Sequence, residues 1–269
     1  WMYADREALR ILTPEEIRAA AQTFKVKTTT TSDGFHPLHY SMLGDSALQQ
    51  LALIFQASER CSRLPPQVSF LLGVIIPKPK GGLRVINVFA SPFRVYGKAR
   101  RDYCQEWERN NDRSYWAAGT ARSDVDPVWR QSVRGEAKQG SPGAVSGSFL
   151  WDLVKFYESF DYEKLLLRAD RVGFPRAIVR LAIFMYRGPR FLTTKTTIAN
   201  ALFATNGVAA GCSFATTLVK LYMMEPMDVV AKMNPEVTFD IFIDDAAGSA
   251  TGTQEQVVGR LLRAAADLR

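Results

Sequence analysis

The spacing of apolar and polar positions changes period several times along the chain. Thr13-Pro14-Glu15-Glu16 puts a cap residue before Pro at the first helical position and acids in the first turn, and apolar residues then recur at helical spacing through Phe24. A Thr-rich loop, Lys27 to Gly34, leads to a second predicted helix over Asp45–Ala57, with Leu48, Leu51, Leu53 and Ile54 as its expected buried face. Arg63 to Pro66 ends it. The β-favouring runs Val68–Ile76 and Leu83–Val88 flank Pro77-Lys78-Pro79-Lys80-Gly81-Gly82, which predicts a hairpin with a basic tip. A basic helix follows, in which Arg94, Lys98, Arg100 and Arg101 interleave with Phe93, Tyr96, Tyr103 and Trp107.

Residues 110–148 are polar and rich in Gly, Ser, Arg and Asp. They read as a connection with short helical pieces, the place for an insertion or a mobile segment. The apolar strand Phe149–Trp151 then delivers Asp152 at its end. Helices are expected over Tyr162–Val172, closed by Gly173, and over Pro175–Arg187, followed by a hairpin from Phe191 to Phe203. Gly207-Val208-Ala209-Ala210-Gly211-Cys212-Ser213 opens a long helix through Met224 or beyond. The run Phe239–Ala250 predicts a second hairpin with Asp244 and Asp245 at its tip, and the chain closes on an amphipathic helix. Hairpins mixed with helices make this an α+β protein.

A length of 269 residues allows one large domain or two small ones, and 47% hydrophobic with 23% charged residues is ordinary for a globular chain. A net charge of +7 is less ordinary and favours a polyanionic partner. The longest apolar run, Val68–Ile76, is too short for a bilayer and no leader pattern opens the chain, so an intracellular protein outside the membrane is expected. Cys61, Cys104 and Cys212 contain no Cys-x-x-Cys pair and read as buried small hydrophobes in a reducing compartment. His36 and His39, without a third ligand nearby, read as loop residues. The chain starts at Trp1 without an initiator Met, so an excised portion of a longer protein is expected.

The candidate chemistry lies in four places, each with a plainer reading beside it. Two adjacent carboxylates repel, and a divalent cation relieves this most simply, but Asp-Asp also makes a solvated turn. Lys78, Lys80 and Arg84 suit a triphosphate or a nucleic-acid backbone, or they solubilise a surface hairpin. The basic helix suits nucleic acid, or it packs its aromatics inward. Glycines at the entrance to the long helix admit a nucleic-acid base or backbone, or close helix-on-sheet packing. Asp152 alone is an ordinary helix cap.

The order of these motifs resembles the fingers and palm of a reverse transcriptase. Pro-Lys-Pro-Lys-Gly-Gly-Leu-Arg (77–84), Asp152 with Tyr157 five residues on, Gly-Val-x-x-Gly-Cys-Ser (207–213) and Phe-Ile-Asp-Asp (242–245) are similar to the cellular retroelement branch: non-LTR retrotransposons, group II intron proteins and retrons. The resemblance covers Lys27 to the end, with Thr31-Ser32-Asp33-Gly34 a loose match to the family's Gly-Pro-Asp-Gly loop. It implies a right-hand polymerase fold, with a helical extension at 1–26, fingers and connection at 27–148, and a palm at 149–269 that stops before the thumb. It implies two Mg²⁺ ions, or Mn²⁺, held by Asp152, Asp244 and the Leu153 carbonyl with Asp245 in support. Lys78, Arg84, Leu153, Tyr157 and Gly211 would bind the nucleotide, and Lys80, Arg94, Lys98 and Arg101 the nucleic acid. The partners implied are an RNA template, a DNA or RNA primer, and dNTPs. Tyr157 would lie under the sugar and exclude a 2′-hydroxyl. The alternatives are an RNA-making polymerase of the same fold, against which Tyr157 counts, and a non-catalytic nucleic-acid-binding palm, against which the intact Asp152, Asp244 and Asp245 count. Ala210 stands where the family often has Gln.

Overall fold

The structure, a computed structural model, describes residues 9–30, 33–79, 81–119, 122–123, 125–138, 143–153, 155–194 and 196–268. Its elements in chain order are α1 (Pro14–Gln22), α2 (Asp45–Cys61), β1 (Leu71–Pro77), β2 (Leu83–Phe89), α3 (Ser91–Ala99), α4 (Arg101–Asn110), α5 (Asp126–Lys138), β3 (Val145–Asp152), α6 (Tyr162–Arg171), α7 (Arg176–Arg187), β4 (Arg190–Thr193), α8 (Ala215–Met233), β5 (Thr238–Phe242), β6 (Asp245–Gly252) and α9 (Gln254–Asp267). The class is α+β, with two three-stranded sheets among the described residues. The chain divides into two compact units, each discontinuous in sequence: Trp1–Cys104 with Tyr157–Leu218, and Gln105–Phe156 with Val219–Arg269.

In the first unit, β1 pairs antiparallel with β2 and parallel with β4, giving the order β2-β1-β4. The hairpin of β1 and β2 closes through Lys78 N–H to Gly82 O at 3.0 Å, with Gly81 and Gly82 both at positive φ. The core is aromatic: Phe55, Phe89, Phe93, Tyr96, Tyr186 and Phe214 are each no more than 2% exposed. Centroids 5.1 Å apart for Phe89–Phe93 and 5.9 Å for Tyr96–Phe214 put these rings in direct contact. The α1 cap is a full capping box between Thr13 and Glu16.

Three expectations for this unit are corrected. The buried stripe of α2 is Leu48, Ala52 and Phe55, not the stripe through Leu53 and Ile54, which are exposed. Cys61 is exposed, while Cys104 and Cys212 are buried as expected. Arg100 does not belong to a basic face. The helix breaks between α3 and α4, and there Arg100 turns inward, 1% exposed, to pair with Glu59 through Nε–Oε1 at 2.7 Å and Nη2–Oε2 at 2.9 Å.

In the second unit, the order is β3-β6-β5 and both pairings are antiparallel. The segment Tyr115–Ala117 lies along β5, with Ile241 N–H to Tyr115 O at 2.7 Å and Ala117 N–H to Ile241 O at 2.9 Å. The helix α9, with its own capping box at Thr253 and Gln256, covers one sheet face, where Gly147 leaves space for Val257. The other face carries Asp152, Asp245 and Asp240 by strand alternation. Arg134 of α5 pairs with Asp240, which is 5% exposed. No helix among the described residues is long and apolar enough to cross a membrane.

Candidate active site

The small residues after the acidic pair, Ala246-Ala247-Gly248-Ser249-Ala250, let β6 sit between two strands, with Gly248 against the Phe149 ring. The connection from β5 to β6 is the two-residue turn Ile243-Asp244. Ile243 takes φ +60° and Asp244 does not have positive φ, the II′ pattern that ordinarily places glycine at the first position. A β-branched residue held there costs roughly 1–3 kcal/mol, the kind of strain that persists where the surroundings over-determine the backbone.

The register brings the expected acids together. Asp152 is directly opposite Asp245 across the β3–β6 ladder, and the Leu153 N–H donates to the Asp244 carbonyl at 3.2 Å. Asp245 therefore begins β6, and of the two adjacent acids Asp244 is the one in the turn, beside Ile243. Asp152 and Asp245 are exposed and Asp244 is half-buried. No described lysine or arginine pairs with any of the three. Partial desolvation first, then the charges of Asp244 and Asp152, push the Asp245 carboxyl above its ordinary value. Among the described residues no group of three or more His, Cys, Asp or Glu is gathered as a cation site.

Comparison with protein-family models and with curated proteins finds no match for this chain.

A carboxyl held above its unfolded value binds its proton more tightly in the folded protein. Stability is then lost as pH rises from the unfolded value through the raised one, and the loss is fully present at neutral pH. In metal-free buffer, Asp245→Asn should raise Tm at about pH 7 and change little at about pH 3, where the acid is already mostly neutral. Thermal melts at both values check this; a lower Tm for the variant at neutral pH would contradict the repulsion.

The remaining expected residues lie in the first unit. Lys78 and Arg84 are both exposed on the β1–β2 hairpin, and Lys80 lies outside the described residues, as do Thr31 and Ser32. Arg94 and Lys98 are half-buried over the Phe24 ring, at 5.4 Å and 5.8 Å, and Arg94 Nη1 donates to Thr29 O at 2.7 Å. Burial pulls both pKa values down. Arg101 is exposed. Gly211, at φ +100°, has its backbone against β2: a Cβ there would lie 2.6 Å from the Asn87 carbonyl. Packing of the turn before α8 against β2, together with its positive φ, thus requires that glycine.

Sequence reading missed three structural roles. Asp33 accepts from Ser91 N–H at 2.7 Å and so caps α3 from 58 residues away. Asp240 joins the acidic sheet face, legible only once the strand register is known. The segment 206–208 grips the turn that carries Tyr157, with Val208 N–H to Tyr157 O and Gly207 N–H to Phe160 O both at 2.7 Å. Its local signal was Asn206-Gly207, a turn dipeptide.

Proposed function

We propose that the chain carries the polymerase centre of an RNA-directed DNA polymerase of the retroelement type, with the β3-β6-β5 sheet and α9 as its palm. The observation that carries this reading is the register that sets Asp152 against Asp245 beside Asp244, with no described cation to neutralise them. Concentrating like charge on a strained turn destabilises a fold, and it is retained where the charge is used.

The donor set fits Mg²⁺ in chemical kind. Carboxylate and carbonyl oxygens are its ligands, and it keeps several waters or substrate phosphates, so a site built from few protein groups is normal for this ion. Asp152, Asp244 and the Leu153 carbonyl would hold two such ions, and Mn²⁺ has the same preference. Bound there, the ions supply Lewis acidity toward a primer 3′-hydroxyl and the phosphates it attacks. The chain's own residues orient and select. By the family resemblance Lys78 and Arg84, exposed cations on the hairpin of the first unit, would serve the triphosphate, Tyr157 the sugar, and the exposed Arg101 the backbone of template and primer. The Tyr157 ring favours dNTPs over rNTPs, and hence DNA over RNA as product.

Primer extension on an RNA template with dNTPs is the test. Extension should require Mg²⁺ or Mn²⁺ and stop on chelation. A chain that binds primer–template yet extends nothing with either metal would leave the non-catalytic palm as the better reading.

A further inference from the structure

We propose that the segment Asn206-Gly207-Val208 is a clamp that sets the position of Tyr157 and through it the choice between deoxy- and ribonucleotides. This rests on the polymerase reading of Tyr157. The short 3₁₀ turn Phe156–Ser159 ends with backbone carbonyls that no helix continues to satisfy. Three consecutive residues take them up: Val208 N–H binds Tyr157 O, the Asn206 side-chain amide binds Glu158 O, and Gly207 N–H binds Phe160 O, each at 2.7 Å.

The fit leaves no slack at the centre of the clamp. Gly207 sits at φ +95°, and a Cβ added there would lie 2.9 Å from Tyr157 O and 3.0 Å from Glu158 Cα. Those are backbone atoms, so any side chain at 207 must push the turn itself rather than rotate a neighbour away. On the far side the turn is anchored, because Phe160 is fully buried and Asp161 caps α6 by accepting from Lys164 N–H at 2.8 Å. The clamp and the α6 cap thus hold the backbone from Tyr157 to Asp161, and with it the Cα from which the Tyr157 side chain projects. Exclusion of a 2′-hydroxyl by contact is steep in distance, so a small shift of this backbone changes selectivity before it changes much else.

The test is incorporation of matched dNTP and rNTP pairs under single-turnover conditions by wild type, Asn206→Ala, Gly207→Ala, Tyr157→Ala and Tyr157→Ala with Asn206→Ala. The rNTP/dNTP rate ratio should rise about threefold to tenfold in Gly207→Ala and about twofold to fivefold in Asn206→Ala, less than the ~100-fold that a ~1 Å misplacement can cost. On the Tyr157→Ala background Asn206→Ala should add nothing, since a positioning residue acts only through the group it positions. If Gly207→Ala does not fold, Asn206→Ala decides alone. A merely structural role would lower both rates together, and an unchanged ratio in Asn206→Ala overturns the clamp, as does an additive shift in the double variant. If the ratio moves in Tyr157→Ala but not in Asn206→Ala, the clamp fails and the sugar-gate reading stands. If Tyr157→Ala itself leaves the ratio at the wild-type value, the gate reading fails and the clamp with it.

Discussion

Asp244→Asn is expected to lower primer extension by at least ~1,000-fold, about 4 kcal/mol of transition-state stabilisation. The amide keeps the shape of the side chain but cannot supply an anionic oxygen to a hard cation. Stability should move the other way. Asp244 is half-buried, has no ion-pair partner among the described residues, and its charge raises the pKa of Asp245, so its neutralisation removes a repulsion. Lost activity with an unchanged or higher Tm is the signature of a residue kept for its chemistry. Extension at the wild-type rate by a folded Asp244→Asn protein would refute the assignment of the acid.

Glu59→Ala is expected to destabilise the protein by about 3–5 kcal/mol, a fall in Tm of roughly 6–20 °C. Glu59 is 3% exposed and holds both the fork of Arg100 and the hydroxyl of Tyr96, at 2.9 Å. Its removal leaves Arg100 buried and uncompensated, with Nη1 already lacking a partner among the described residues. Burial and the Glu59 charge already push the Tyr96 hydroxyl well above its ordinary pKa, so it stays a neutral donor with nothing left to receive its bond. Glu59→Leu with Arg100→Met should recover much of the loss, since burying an ion pair costs desolvation that an apolar pair avoids. Melts of the single and double variants decide it; a double variant no better than Glu59→Ala would show that the cluster does more than neutralise itself.

Arg100 also shows where the sequence misleads. In the linear chain Arg94, Lys98, Arg100 and Arg101 read as one basic run, but helical spacing groups Arg94, Lys98 and Arg101 on one face and sets Arg100 with Phe93 and Tyr96 on the other. What a local window misses is the partner that makes burial of this charge tolerable, a carboxylate 41 positions earlier. The β5–β6 hairpin was legible for the opposite reason: its strand-forming run, acidic pair and small residues all agree locally. Even there the turn was displaced by one residue, because Ile243 is a poor choice for positive φ and gives no hint that it occupies the first turn position. The resemblance led us to expect Asp152 beside Asp244 with Asp245 in support, whereas the register sets Asp152 opposite Asp245, and a β-ladder register between residues 93 apart has no signature in either strand. The discontinuous units follow from the same long-range pairings.

The proposed activity is template-directed addition of deoxynucleotides at Asp152, Asp244 and Asp245. Its most direct test offers the chain each single dNTP in turn against four RNA templates that differ only in the base after the primer end, with Mg²⁺ present. Each template should select its complementary dNTP, and the matched rNTP should be added far more slowly. Addition that ignores the template base, or no addition to a primer–template the chain demonstrably binds, would contradict it.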